Sequence, residues 1–226
     1  MHLPDGLIEE TTLVVLWMVT LSVMVLGFYR ISNSSVLAEE DSEKLVPYIG
    51  VIAAVIFAFQ FVNYPIPGGT SGHLVGGTLV AVILGPWSSV IVLFLVLVVQ
   101  SFFGDGGFTA LGANAFNMGI IGGIFGLFVV KLIVEALNKT RISKEIKVTI
   151  GTAIGAYVAI LVASIICAIE ISIAGEFALE HAVSAMVIWH SMIGIGEAII
   201  SALIVYYIYK TKPSLILTEK FLGVPS

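Results

Sequence analysis

The chain reads as an all-α polytopic membrane protein. Three observations carry that reading: 58% of its 226 residues are hydrophobic, 11% are charged, and the mean hydropathy is +1.09. Soluble domains carry about 25% charged residues, so this composition cannot build a water-facing surface. Disorder is excluded as well, because its signature is low hydrophobicity with high charge. The ten Lys and Arg are scattered and form no nucleic-acid surface. The single Cys167 excludes an intrachain disulfide and a thiolate metal cluster. One membrane domain, 1–226, with short loops accounts for the length.

A bilayer core of about 30 Å takes roughly 20 apolar residues per helix. The first run extends from about Thr12 to Tyr29. Asp5, Glu9 and Glu10 precede it, and no Lys or Arg does, unlike a cleaved signal peptide. The second runs from Val46 to Val62. Asn63 to His73 follows, rich in Pro and Gly breakers. Leu74 to Phe103 is apolar but interrupted at Gly85-Pro86, and the Gly104–Gly107 loop comes after it. Further runs span Ala115 to Leu137, Val148 to Ile171 and Ala182 to Tyr209.

Leu74–Phe103 is either one long helix or a hairpin of two short ones, and positive charge decides between them. Short cytoplasmic loops collect Lys and Arg. With a hairpin the chain crosses seven times, and all ten basic residues fall on one side: Arg30, Lys44, Lys131, Lys139, Arg141, Lys144, Lys147, Lys210, Lys212 and Lys220. A single crossing would put the Lys131–Lys147 cluster opposite Arg30 and Lys44. The expectation is therefore seven transmembrane helices, N-terminus outside and C-terminus inside, with one hairpin arm tilted or buried in protein. The outer face then carries the free N-terminus, His73, Asp105, Glu176, Glu180 and His181, and no cation, which suits a cationic ligand. Within the helices, Gly119-xxx-Gly123, Gly122-xxx-Gly126 and Gly151-xxx-Gly155 permit close helix packing.

No GxxxxGK[ST], HExxH or GxSxG motif is present, so nothing argues for an enzyme or for ATP binding by this chain. The opening Met1-His2-Leu3-Pro4-Asp5-Gly6 argues for metal. A bulky second residue should leave Met1 in place with a free α-amine, whose unperturbed pKa is about 7.7–8.0. That amine and the His2 amide nitrogen close a five-membered chelate ring, and the amide and His2 Nδ1 close a six-membered one. A fourth nitrogen completes a square plane, which favours Ni(II) or Cu(II) over Zn(II), Mg(II) or Ca(II). His73, at the end of Gly68-Gly69-Thr70-Ser71-Gly72 and on the same face, supplies it best. His190 and Glu197 lie seven residues apart on one face of the last helix. Ionisable residues inside a membrane are functional by default. Their expected part is to orient the donors or to meet Asn114 or Asn117, with a proton path as the other option. Ser71 and Asp105 are further candidates for orienting the donors, and His181 reads as an exposed residue.

These residues resemble a known family. The Met1–Gly6 opening, Gly68–His73, Gly85-Pro86-Trp87, Phe103–Gly107, Thr109–Asn114, Phe116–Gly119 and Ile193–Ala198 are similar to the NikM/CbiM family, the substrate-binding membrane components of energy-coupling factor transporters for nickel and cobalt. The resemblance implies an all-helical seven-span protein of the cytoplasmic membrane. It implies that Met1, His2 and His73 hold Ni(II), or alternatively Co(II), as transported substrate, with no cofactor. The implied partners are a transmembrane coupling protein, two cytoplasmic ABC-type ATPases and a small additional membrane subunit. From another class, the rival reading is a self-sufficient secondary transporter that uses His190 and Glu197 as a relay.

Overall fold

The structure, a computed structural model, describes residues 1–33, 42–219 and 221–223, the side chains of 42–45 aside. Helix α1 (Glu10–Ser32) is followed by α2 (Ser42–Phe61) and a two-residue antiparallel ladder, β1 (Tyr64–Pro65) with β2 (Ser71–Gly72). Next come α3 (Gly77–Leu84), α4 (Pro86–Phe102) and α5 (Leu111–Ala115). The last continues through a π-helical segment, Phe116–Phe125, into α6 (Gly126–Leu137). Helices α7 (Lys144–Ile173) and α8 (Leu179–Thr211) complete the bundle, and a 3₁₀ turn, Pro213–Leu215, opens the tail.

Among the described residues, four helical stretches are long and apolar enough to cross a membrane: Glu10–Ser32, Leu111–Leu137, Lys144–Ile173 and Leu179–Thr211. Val46–Phe61 and Pro86–Phe102 are shorter apolar helices. Leu74–Phe103 is two helices, because Gly85 takes φ +98° and Pro86 occupies the first turn of α4. At 1.5 Å per residue, the eight residues of α3 rise only about 12 Å, and all eight are buried inside the protein.

The sorting of residues is inverted relative to a soluble protein. Val25, Val46, Val62 and Tyr207 point outward, whereas Gln60, Gln100, Asn114, Asn117, Glu170, His190 and Glu197 are buried. A lipid-facing surface has no use for polar groups, which must find partners inside. The glycines serve packing within the chain. Gly77 lies against Met118 and Gly122, Gly126 against Thr78, and Gly155 against Val130 and Gly126. Thr78 Oγ1 donates to the Gly122 carbonyl at 2.6 Å, tying α3 to the π-helical segment.

The tail closes the end of the bundle opposite the N-terminus. Leu217 N–H donates to Ile83 O at 2.8 Å, and Thr218 Oγ1 donates to Val82 O. Tyr48 Oη donates to Leu215 O at 3.1 Å, and Lys144 meets Glu219 at 2.7 Å. Lys131 stacks on Phe221, and Arg30 on Trp87 beside the Gly85 break. Lys220 and the side chain of Lys44 lie outside the described residues.

Candidate metal centre

The N-terminal segment is docked by a small number of specific contacts. Pro4-Asp5-Gly6 makes the turn its composition favours, and Gly6 takes φ +83°. Asp5 Oδ1 accepts from Thr109 N–H at 2.7 Å and from Thr109 Oγ1 at 2.6 Å. Thr109, chiefly through its hydroxyl, holds this exposed carboxyl below its ordinary pKa. Asn114, at the start of the α5–α6 stretch, reads the backbone of Leu3 on both sides. It accepts from Leu3 N–H at 2.8 Å and donates to Leu3 O at 3.1 Å. Gly107 N–H adds a bond to Leu3 O at 2.9 Å. Gly107 has to be glycine, because a Cβ there would fall within 2.6 Å of Asp5 Cγ. Met1 and Leu3 are fully buried in consequence.

The β1–β2 hairpin brings the second half of the site. Ile66 N–H donates to Thr70 O at 2.9 Å, closing the tight Gly68-Gly69 turn, and Ser71 and His73 emerge beside the terminus. The Met1 amine donates to the Ser71 carbonyl. It lies 3.1 Å from Ser71 Oγ and 3.0 Å from His73 Nε2. The His2 amide donates to Ser71 Oγ at 3.0 Å. The His2 and His73 rings stack, with centroids 4.2 Å apart and planes 21° from parallel.

The spacing of the amine and His73 Nε2 fits two adjacent donors of a square-planar ion. Metal–nitrogen bonds of about 2.0–2.1 Å put adjacent donors about 2.9 Å apart, close to the observed 3.0 Å between amine and imidazole. His73 is also in a suitable tautomer. His73 Nδ1 lies 2.9 Å from the Leu74 carbonyl, which can only accept, so the proton is on Nδ1 and Nε2 carries the lone pair. His2 Nε2 lies 3.1 Å from Gln100 Oε1, and a proton donated there frees Nδ1 for an ion. Metal-binding histidines characteristically donate their second ring nitrogen in this way. Burial holds both rings below the ordinary histidine pKa, His73 well below it. Burial also lowers the amine from 8.0 to about 5, against the opposing pull of Cys167 and Asp105. The donors are thus neutral at pH 7, as ligands must be.

Of the residues singled out by sequence, Met1, His2, Ser71, His73, Asp105 and Asn114 converge. His2 Nδ1 sits 3.0 Å from Asp105 Oδ1, out of hydrogen-bond alignment, and Asn63 Nδ2 donates to the same oxygen at 2.7 Å. Glu197 and His190 do not join each other. Glu197 binds the backbone of Val75 and Gly76, and His190 Nδ1 bonds Met186 O one turn back at 2.8 Å. Asn117 donates to Glu170 at 2.7 Å, not to either of them. His181 is exposed. Sequence reasoning missed Gln100 and Gln60. Their signal was a lone amide inside an apolar run, the same signal that drew attention to His190. Among the described residues no three His, Cys, Asp or Glu side chains form a metal site. The donors that gather here include backbone nitrogen.

Comparisons with known proteins give the family. The family model CbiM, described as cobalt uptake substrate-specific transmembrane region, matches residues 2–215. A crystal structure of a transition metal transporter superposes with a TM-score of 0.79 at 33% identity, covering 98% of this chain and 99% of that one. The fused nickel transport protein NikMN of Rhodobacter capsulatus is 38% identical over 123 residues, 54% of this chain and 34% of its own length. The cobalt transport protein CbiM of Sorangium cellulosum is 34% identical over 131 residues, 57% of this chain and 56% of its own.

Proposed function

We propose, from the premise that this chain belongs to the CbiM family of cobalt uptake substrate-specific transmembrane regions, that it captures Ni(II) through the Met1 amine, the His2 amide and Nδ1, and His73 Nε2. The observation that carries this is the buried terminal amine 3.0 Å from a bare imidazole nitrogen. It is a multi-pass membrane protein of a nickel and cobalt transport family. Capture is from the extracytoplasmic side, and the protein is the substrate-binding component of an energy-coupling factor transporter. A transmembrane coupling protein, two cytoplasmic ABC-type ATPases and a small extra membrane subunit complete the assembly.

Seven crossings, N-terminus out and C-terminus in, fit the two ends of the bundle. Met1, Ser71, His73, Asp105 and Thr109 gather at one end. Ile83, Leu217 and the basic residues Arg30, Lys131 and Lys144 gather at the other. The β1–β2 turn with half-helix α3 makes one of the crossings, and α4 makes the next.

Binding deprotonates the His2 amide, so the bound complex carries a charge of about +1 and is easier to hold away from water than a dication. Four nitrogens in a plane favour Ni(II) over Co(II), and inherent affinities in such sites also rise from Co to Ni, with Cu above both. A self-sufficient relay through Glu197 is disfavoured, since both of its oxygens are engaged by backbone N–H groups. The test is the metal content and affinity of purified protein whose authentic N-terminus has been verified by mass. Nickel in a 1:1 ratio, bound far more weakly after His73→Ala, supports the proposal. Cobalt bound more tightly than nickel in direct competition would reassign the substrate. Absence of metal binding would reject capture altogether.

A further inference from the structure

Three of the four proposed nitrogens belong to one dipeptide, Met1-His2, and the fourth comes from a different part of the chain. His73 stands at the head of a short strap, residues 73–76, that links β2 to α3. The strap has no regular hydrogen-bonding pattern of its own. Its placement depends on what grips it from outside.

Two buried side chains do so. Glu197, on α8 and 3% exposed, accepts from Val75 N–H at 2.7 Å on one oxygen and from Gly76 N–H at 2.8 Å on the other. Gln60, on α2 and fully buried, donates to Val75 O at 2.7 Å. Val75 is therefore held by both its donor and its acceptor. The two N–H groups converge on the one carboxylate, and Gly76, with φ +74°, turns the chain from the strap into α3. Gly76 is also the N-cap of α3, so the carboxylate faces the positive end of a helix. This explains how an acid sits deep in the bundle on backbone donors.

We propose that Glu197 and Gln60 are positioning residues that set the reach of His73 toward the Met1 amine, and so set whether the ion is held by four donors or three. Helices α8 and α2 are then the handles through which movement of the bundle is converted into metal release. Displacing the strap withdraws one donor while the Met1-His2 chelate stays on the ion. This inference rests on the metal-capture reading above and adds to it the element that controls the fourth ligand.

Glu197→Gln keeps size and leaves one oxygen to face two N–H groups, the other being replaced by a donor. Gln60→Met keeps bulk and removes the bond to Val75 O. Both are compared with the parent and with His73→Ala by NiCl₂ titration of the full chain in detergent, with thermal unfolding as the check on folding. The visible absorption of bound nickel reports the donor set. Residues that support a metal ligand typically account for about 10- to 100-fold in affinity. Glu197→Gln is expected to lower Ni(II) affinity by that factor and to shift the absorption to the position seen with His73→Ala. Gln60→Met should move both readouts in the same direction, and it carries the test if Glu197→Gln does not fold. In the His73→Ala background neither substitution should lower affinity further. Losses that persist undiminished in that background, or parent-like affinity in both single variants, would overturn the positioning role. A parent-like His73→Ala would instead remove His73 from the metal site, and the capture reading with it.

Discussion

Adding two residues, Gly-Ser, ahead of Met1 is the most direct perturbation of the proposed donor set. The amine lies 3.0 Å from His73 Nε2, and two extended residues carry it away by up to about 7 Å. The new amine is also too remote from the His2 amide to share a five-membered ring with it. Met1 is 0% exposed, so the extension has to displace it. Burying a side chain of this kind is worth about 1.5–3 kcal/mol, and each hydrogen bond about 0.5–1.5 kcal/mol net. Losing the burial and two bonds removes roughly 2.5–6 kcal/mol, which at about 1.4 kcal/mol per decade lowers Ni(II) affinity roughly 10²- to 10⁴-fold. A one-residue extension is the informative contrast. Gly-Met-His presents an amine, two amides and an imidazole, enough to close a four-nitrogen plane without His73. That variant should retain nickel and become indifferent to His73→Ala. Inserting a single residue between Met1 and His2 would have the same effect, so it is a poor test of the geometry. The assay is NiCl₂ titration against a competing chelator, with the N-terminus verified by intact mass. Parent-like affinity in the two-residue variant would refute the amine as a donor.

The pH dependence of binding should follow the depressed amine. With the amine at about 5 and both imidazoles pushed below the usual histidine range, only the His2 amide proton is released on binding near neutrality. Affinity should therefore fall about tenfold per unit as pH drops from 8 to 6, and more steeply below about 5, where the amine protonates. An amine at its ordinary value of about 7.7–8.0 would give a hundredfold loss per unit over the same range, and measuring that slope would contradict the buried donor. His73→Ala should leave the thermal unfolding profile in place and lower Ni(II) affinity by on the order of 100-fold, at or above the upper end of the range for residues that merely support a ligand. Gly107→Ala puts a Cβ 2.6 Å from Asp5 Cγ, where ordinary contact begins at 3.4 Å. The N-terminal segment must then lift by about 1 Å against a ligand-distance tolerance of about 0.2 Å. A loss of roughly 10- to 100-fold in nickel affinity is expected, and unchanged affinity would show that the Asp5 clasp does not set the donors.

The amino-acid sequence determined the solvent this chain lives in. Apolar run lengths follow from what lipid demands of each helix separately, so they can be read one segment at a time. The Gly85-Pro86 break was legible for the same reason, since φ +98° and a missing N–H are local facts. So was the chelating capacity of Met1-His2, which two adjacent residues contain between them. The tertiary structure decided what lies across from those groups. The partners of the terminal segment are Ser71, His73, Gln100, Asp105, Thr109 and Asn114, 69 to 111 positions away along the chain. Glu197 reaches Val75 across 122. Seven-residue spacing put His190 and Glu197 on one helical face, but the hydrogen-bonding needs of a buried strap drew Glu197 to backbone amides. Hydropathy and periodicity cannot express that choice, because which donor a buried acid finds depends on segments that meet only when the bundle packs.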